Sequence, residues 1–314
     1  MPPATPDIDV VVVTWNGREM LDSCLAHLAR QTVPHRVIVA DNGSTDGTVE
    51  HVRAHHPGID LVALPENVGF GRGNNAGVAH GSAPYVVLLN NDVDVEPEFL
   101  ERVVAPLRAD AGCGAVAALT LQPTGDVVDQ VGITLDAGLQ SHTRGRGERP
   151  DGLVPGPLAA PCAGAAAYRR EAFEQVGGFA PELFLYSEDL DLGLRIHAAG
   201  WTFASVLETR AVHLGGGTTS HHSELTRLHS AFGRGFVLGR FSPPSRFALL
   251  RSLAVEVAVV LWGLLRHRTT APLTGRLRGW RAARGAGAHY AVPPELIDES
   301  VSFGVVLRRL VSGE

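Results

Sequence analysis

Two aspartates separated by one residue, Asp92 and Asp94, follow a strongly apolar segment at residues 85–90. The segment predicts a buried strand, and two carboxylates at a strand end can face the same ion. Carboxylate oxygens are ligands that Mg²⁺ prefers, and the bound cation can also contact phosphate oxygens. The pattern therefore indicates a divalent-metal site, for which the alternative is a solvated acidic loop.

Asp41 ends a second apolar segment, residues 36–40, and opens a polar turn that reaches residue 48. A carboxylate at this place can accept a hydrogen bond from the imide N–H of a pyrimidine or from a ribose hydroxyl. The alternative is a helix-capping role, which Ser44 or Asp46 could fill equally well. We therefore predict that Asp41 is available to a nucleotide.

Residues 67–77 are dense in glycine and contain one cation, Arg72. Glycines permit close approach of the backbone to a diphosphate, and a guanidinium adds a charged donor. The segment resembles a dinucleotide-binding fingerprint only superficially, because it does not follow directly on a strand.

Glu188 and Asp189 lie where a helix over residues 188–199 is predicted to begin. Acids at this end of a helix are stabilised by its dipole, which is one explanation of the pattern. The other is a general base that removes a proton from a sugar hydroxyl, and only one of the two is expected to face a cleft. His213, after a further predicted strand, is a possible third metal ligand, whereas most lone histidines are packed or surface residues.

Alternating strand and helix patterns connect these groups over the first ninety residues. The order predicts a right-handed, mostly parallel sheet, in which ligands bind beyond the carboxyl ends of the strands. The predicted strands are residues 8–14, 36–40, 60–64 and 85–90, and the helices are 17–31, a segment ending near 55, and 73–80.

The next hundred residues continue the α/β pattern. Residues 98–109 and 169–176 are predicted to be helical and residues 115–121 extended, whereas 140–157, rich in Gly, Arg and Pro, are predicted to form a mobile loop.

Composition narrows the class of protein. The 314 residues are 45% hydrophobic with a net charge of −6, which favours a packed core and gives no case for nucleic-acid binding. The three cysteines have no CxxC spacing, and the N-terminus lacks a basic start followed by an apolar run. A cytoplasmic protein is therefore expected.

Residues 245–265 are strongly apolar but contain Arg251 and Glu256, and the stretch 241–290 has eight arginines and one acid. The apolar run is long enough to span a bilayer, but its internal charges make spanning costly. A helix lying on an anionic membrane through 245–284 is one expectation. The alternative is a helix packed on the rest of the protein or in a homodimer interface.

The ordered set of motifs resembles the family-2 glycosyltransferases, which have the GT-A fold, over about residues 8–216. The segments that carry the resemblance are Val-Val-Thr-Trp-Asn (12–16), Asp-Asn-Gly-Ser-Thr-Asp-Gly-Thr (41–48), the glycine-rich 67–77, Leu-Leu-Asn-Asn-Asp-Val-Asp (88–94), Gly-Ala-Ala-Ala-Tyr-Arg-Arg (164–170), Gly-Gly-Phe (177–179) and Tyr-Ser-Glu-Asp-Leu-Asp-Leu-Gly-Leu-Arg (186–195). Among members, the pattern is most similar to rhamnosyltransferases and related cell-surface polysaccharide enzymes.

The resemblance implies a role for each motif. Asp94 and His213 would hold Mg²⁺ or Mn²⁺, Asp189 would be the catalytic base, and a dTDP- or UDP-sugar would be the donor. Gly164 and Glu188 would lie on the acceptor side, facing a glycan or lipid-linked acceptor. The donor-binding residues would be Thr14, Asn16, Asp41, Asn67, Gly71, Arg72, Asn75, Asn91 and Asp92.

The implied architecture has a donor-binding half (1–97), an acceptor-binding and catalytic half (98–217) and a helical C-terminal extension (218–314). Processive members carry Gln-x-x-Arg-Trp after the base, and this chain does not, which favours a single-transfer enzyme. One candidate base and one metal pair at separate sites in the chain favour a single displacement, which inverts the anomeric centre. The alternatives are a non-catalytic sugar-nucleotide-binding module and a nucleotidyltransferase. The latter fits poorly, because Trp15-Asn16-Gly17-Arg18 follows the first strand where a basic glycine-rich loop is needed.

Overall fold

A nine-stranded mixed sheet forms the centre of the protein, and the computed structural model describes residues 6–215 and 224–301. Two two-stranded sheets accompany it. The strands of the large sheet are β1 (Ile8–Thr14), β2 (Arg36–Asp41), β3 (Asp60–Ala63), β4 (Tyr85–Asn90), β5 (Val93–Val95), β6 (Cys113–Leu121), β7 (Val128–Gln130), β10 (Ala165–Arg169) and β11 (Thr202–His213), and those of the small sheets are β8 (Ile133–Leu135), β9 (Ser141–Thr143), β12 (Phe241–Ser242) and β13 (Tyr290–Ala291).

Nine α-helices surround the sheets within the described residues. They are α1 (Arg18–Leu28), α2 (Thr48–His55), α3 (Phe70–His80), α4 (Phe99–Ala109), α5 (Arg170–Gln175), α6 (Glu188–Ala198), α7 (Glu224–Arg240), α8 (Arg246–His267) and α9 (Ala271–Gly285), and Pro150–Gly152 and Pro294–Leu296 form single 3₁₀ turns.

The predicted parallel half of the sheet is confirmed. Strands β3, β2, β1 and β4 lie in that order and pair in parallel. The continuous β-branched run of β1 is buried along its whole length because apolar layers cover both faces of the sheet. In the register, Thr14 pairs with Asp41 and Val13 with Asn90, so the polar strand ends meet at one edge.

The second half of the sheet is mixed. Strand β10 runs antiparallel to both β4 and β6, and β11 runs parallel to β6 and antiparallel to β5. This last pairing brings His213 opposite Val93, next to the acidic segment after β4.

Two predictions of local structure are wrong. Residues 140–157 are not one loop, because Ser141–Thr143 pairs with Ile133–Leu135. Helix α3 begins at Phe70 rather than near residue 73, so most of the glycine-rich segment is helical.

A buried carboxylate holds helix α6 in place. Asp191, with no exposed surface, pairs with Arg195 at 2.7 Å and with Arg240 of α7 at 3.1 Å. Arg195 also donates to the carbonyl oxygens of Val176 and Gly178. The start of α6 is thereby tied both to the loop before it and to the C-terminal helices.

Helices α7 and α9 pack closely through glycines. A Cβ atom on Gly279 would lie 1.9 Å from the carbonyl oxygen of Phe232, and one on Gly235 would lie 2.1 Å from that of Arg276. Two charged residues within helix α8 face inward: Arg251 lies 2.9 Å from Asp136, and Glu256 contacts Arg234 and Arg276.

We expect Asp191→Asn to lower the free energy of unfolding by about 3 kcal/mol or more, because it leaves two guanidiniums without their buried counter-ion. Urea unfolding monitored by circular dichroism measures the change, and Asp126→Asn, at an exposed turn, serves as the control. A loss equal to that of the control would contradict the structural role of Asp191.

Candidate active site

A cavity of about 250 Å³ lies beyond the strand ends, where β4, β10 and β11 meet the start of α6. Asp129, Gly164, Glu188, Asp189 and His213 line it. Four of these five were predicted site residues, and the fold brings them together from distant parts of the chain.

His213 lies between two carboxylates. Its Nδ1 is 2.8 Å from Asp129 Oδ2, and its Nε2 is 3.2 Å from Asp92 Oδ2. The hydrogen bonds to Asp129 and Asp92 raise the pKa of His213 to about 10, although burial lowers it. Asp92 and the Nε2 of His213 beside it could together hold a divalent cation once that nitrogen gives up its proton, while Asp129 keeps its contact with Nδ1.

Asp94 lies on the other face of the sheet. It pairs in register with Val212, so it points away from His213, and its carboxylate accepts a hydrogen bond from Ser23 at 2.8 Å and lies 3.2 Å from His27. Asp94 and His213, predicted to hold one metal together, thus lie apart in this structure. Asp92, predicted to face the donor, is the aspartate beside His213.

Asp41 occupies the predicted place at the end of β2. Its Oδ2 accepts the backbone N–H of Ser44 at 3.0 Å, while its buried Oδ1 has no hydrogen-bond partner among the described residues. Asn16 fixes the neighbouring turn, since its Oδ1 accepts the N–H of Thr45 at 2.8 Å. The geometry leaves one oxygen of Asp41 for a ligand.

Thr14 and Asn91 join two strand ends directly. Asn91 Nδ2 donates to Thr14 Oγ1 at 2.9 Å, so both side chains hold the strand edge together. Asn42, which the sequence did not single out, donates through Nδ2 to Asn67 Oδ1 at 3.1 Å and so fixes the turn before α3.

Three predicted donor-binding residues lie within helix α3. A Cβ on Gly71 would meet Phe179 at 2.8 Å, so this glycine permits helix packing. Asn75 donates to the carbonyl of Phe179 and accepts its N–H, which satisfies the amide side chain within the protein. Arg72 is exposed on the helix surface.

Glu188 and Asp189 begin α6 after two residues, Tyr186 and Ser187, that both have a φ of 69°. This strained entry turns both acids inward, and Glu188 Oε2 and Asp189 Oδ1 are buried without hydrogen-bond partners among the described residues. Burial raises the pKa of both carboxyls, and the charge of Asp189 raises the pKa of Glu188 further. A hydrogen bond from Ala163 opposes the rise of the Asp189 pKa.

Gly164 lines the cavity where β10 approaches β4. The N–H of Asn90 donates to the carbonyl of Gly164 at 2.9 Å, and a Cβ at this position would lie 3.1 Å from Asn90 Nδ2. A larger residue here would therefore crowd the Asn90 side chain.

Sequence reasoning missed Asp129. In the sequence Asp129 is one acid among others before residue 140. Its contact with His213 depends on the antiparallel pairing of β7 with β6, which the sequence does not show. The glycines that follow residue 215 lie outside the described residues.

A separate surface cluster combines Asp22 of α1 with His51 and His56. Both Nε2 atoms lie 2.8 Å from Asp22 Oδ1, and the three side chains could hold a metal ion. The cluster does not include any of the predicted metal ligands.

Solved structures share this fold at low sequence identity. GalNAc-T7 with UDP, GalNAc and Mn²⁺ has a TM-score of 0.61 at 15% identity, covering 91% of this chain and 55% of that one. The mannosyltransferase PcManGT from Pyrobaculum calidifontis, in complex with GDP-Man and Mn²⁺, has a TM-score of 0.54 at 18% identity, covering 100% and 89%. The fold is therefore GT-A, as predicted.

Sequence relatives are more specific. A Mycobacterium tuberculosis protein named N-acetylglucosaminyl-diphospho-decaprenol L-rhamnosyltransferase is 30% identical over 299 residues, covering 84% of this chain and 95% of that protein. The O-antigen biosynthesis protein RfbC of Myxococcus xanthus is 27% identical, covering 67% and 17%. The family model described as glycosyl transferase family 2 matches residues 9–177. This chain belongs to glycosyl transferase family 2.

Proposed function

We propose that the protein is a metal-dependent, inverting glycosyltransferase that moves a sugar, rhamnose in our preferred assignment, from a dTDP- or UDP-sugar. The acceptor would be a hydroxyl of a cell-surface glycan or of a lipid-linked sugar. The observation that carries the proposal is a single cavity that brings two groups together. The buried carboxyls of Glu188 and Asp189 line it, and so do Asp129 and His213. His213 in turn contacts Asp92. The similarity to a rhamnosyltransferase over most of the chain supports the choice of sugar.

Asp92 and His213 would hold Mg²⁺ or Mn²⁺, and Asp129 would orient the imidazole through Nδ1. The bound cation would offset the charge that grows on the leaving diphosphate. Asp41, with its unused Oδ1, would accept a hydrogen bond from the donor nucleotide. We retain residues 1–97 as the donor-binding half and 98–217 as the acceptor-binding half of the domain.

Asp189 would act as the base. The acceptor oxygen attacks the anomeric carbon, the bond from that carbon to the diphosphate breaks, and Asp189 takes the hydroxyl proton. A buried carboxylate with a raised pKa is a stronger base than an exposed one once it is ionised. A single displacement inverts the anomeric centre.

Asp189→Asn should reduce sugar transfer by about 10²-fold or more while UDP binding in the presence of Mn²⁺ stays near normal. Turnover is measured by release of the nucleotide diphosphate, and binding by calorimetry. Glu188→Gln serves as the comparison, since it removes the neighbouring buried acid. If Asp189→Asn kept near-normal turnover and Glu188→Gln lost turnover, Glu188 rather than Asp189 would be the catalytic base.

Asp92→Asn should weaken Mn²⁺-dependent binding of UDP by about tenfold or more, whereas Asp94→Asn should change it little. The reason is that Asp94 points to the opposite face of the sheet from His213. Calorimetric titration of UDP with and without Mn²⁺ measures both variants. The metal assignment fails if Asp94→Asn loses the metal-dependent binding, and metal dependence itself fails if excess chelator leaves transfer intact.

We further propose a cytoplasmic protein that lies on the inner face of the membrane through α8 and its neighbours in 245–284. The helix Arg246–Arg266 is apolar and long enough to cross a bilayer, yet only 22% of its most apolar window is buried in the protein. Its charged residues Arg251 and Glu256 pair inward, which leaves an apolar outer face with exposed arginines at both ends, Arg246 and Arg266. This arrangement fits a helix that lies on anionic lipid.

Replacing Phe247, Leu250 and Leu265 together with serine should abolish flotation with phosphatidylglycerol vesicles, because each exposed apolar side chain contributes about 2 kcal/mol when buried in lipid. Val154→Ser is the matched control, since Val154 is 70% exposed on the catalytic domain, against 77% for Phe247 and 81% for Leu265. The membrane proposal fails if the wild-type protein does not float with the vesicles. If sedimentation then shows that the wild type is a dimer and the triple variant a monomer, the apolar face of α8 is a homodimer interface.

A further inference from the structure

The surface cluster of Asp22, His51 and His56 brings three metal-ligating atoms together outside the candidate active site. The Nε2 atoms of both histidines lie 2.8 Å from Oδ1 of Asp22, and the three ligand atoms lie within 4.8 Å of one another. In a tetrahedral site with metal–ligand bonds of about 2.0–2.1 Å, neighbouring ligand atoms lie about 3.3 Å apart. Side-chain movements of about half an ångström would therefore make room for one ion.

The end of helix α2 places both histidines on the same side. On one continuous helix, residues five positions apart would point about 140° away from each other. Helix α2 ends at His56, whose φ of −126° and ψ of 55° are not helical, so its side chain can turn toward Asp22 as that of His51 does. The ring of His55 stacks on that of His51 at 4.4 Å between centroids and so helps to fix its orientation.

The cluster combines a rigid ligand with an accessible one. The side chain of His51 is only 10% exposed, whereas that of Asp22 is 47% exposed. An ion can therefore enter from solvent on the side of Asp22, and a water molecule can complete its coordination there.

The chemistry of the three groups favours a transition metal. Burial raises the pKa of Asp22, but hydrogen bonds from His56 and His51 outweigh this effect and lower it, so the carboxylate is ionised at neutral pH. Two imidazole nitrogens and one carboxylate suit Zn²⁺ and similar ions, whereas Mg²⁺ prefers oxygen ligands alone. When no metal is bound, the two imidazoles can instead donate hydrogen bonds to Asp22.

We propose that Asp22, His51 and His56 bind a transition-metal ion of the zinc type, separate from the proposed catalytic cation. The ion would join α1 to α2. These helices follow the turns that carry Asn16 and Asp41, and hydrogen bonds already connect the two turns. The ion would therefore stabilise this part of the domain without contact with the reacting groups. The inference does not depend on the proposed function.

The test uses the untagged full chain without nucleotide. Zn²⁺ binding is measured by calorimetry, and Co²⁺ binding by its visible absorption, which reports the coordination geometry. The wild type should bind one Zn²⁺ per chain at this site, and His51→Gln and His56→Gln should each weaken the binding by at least tenfold, because each removes a direct ligand. His80→Gln, at an exposed position on α3, is the matched control, and His213→Gln should also retain the site.

Thermal unfolding gives a second measurement. Zn²⁺ at about a hundredfold excess over its Kd should raise the Tm of the wild type by roughly 5 °C and that of His56→Gln much less. The proposal is overturned if the wild type binds no Zn²⁺ without nucleotide, or if both variants bind it as tightly as the wild type. It is also overturned if His213→Gln alone removes the binding. Should the more buried His51→Gln fail to fold by circular dichroism, His56→Gln decides the outcome.

Discussion

The geometry of the candidate site depends on one buried carboxylate, Asp191, and its two arginines. Such an ion pair needs complete hydrogen bonding to offset the desolvation of its charges, and the carbonyls of Val176 and Gly178 supply part of it. Because Asp191 lies two residues after Asp189, the same contacts that neutralise it also fix the first turn of α6. The candidate base is therefore positioned by charges that do not touch the cavity.

The parallel half of the fold could be predicted because its signals are local. Each strand is a short apolar run rich in β-branched residues, each connection is predicted to be helical, and the right-handed crossover rule limits the arrangements that remain. Asp41 was predicted correctly at a strand end for the same reason, and its capping alternatives, Ser44 and Asp46, are adjacent in the sequence. The helix start at Glu188 was predicted from the same kind of local signal, whereas the expectation that only one of Glu188 and Asp189 faces a cleft is wrong, because both line the cavity.

The contact between His213 and Asp92, on which the proposed metal site rests, could not be predicted from the sequence, because it depends on pairing between distant segments. Asp92 and Asp94 differ by two positions, and a regular strand would have turned both the same way. Strand β5 begins only at Val93, so Asp92 precedes it and Asp94 lies within it. The antiparallel partner β11 then fixes which face His213 occupies, and neither the partner nor its register is visible from residues 88–94 alone. Asp129 could not be predicted as a site residue for the same reason, since its contact with His213 also depends on pairing between distant strands.

The charges of Arg251 and Glu256 have a different role in the fold from the one their place in an apolar run indicates. In the sequence they argue against membrane insertion, but in the fold they face inward and pair with Asp136, Arg234 and Arg276. Their pairing attaches α8 to the domain with its apolar side outward. Together with α7 and α9, α8 also encloses a cavity of about 630 Å³ that Glu188 and Asp189 line from the other side. The inward pairing of Arg251 and Glu256 therefore both leaves the apolar side of α8 exposed and forms one wall beside the candidate base.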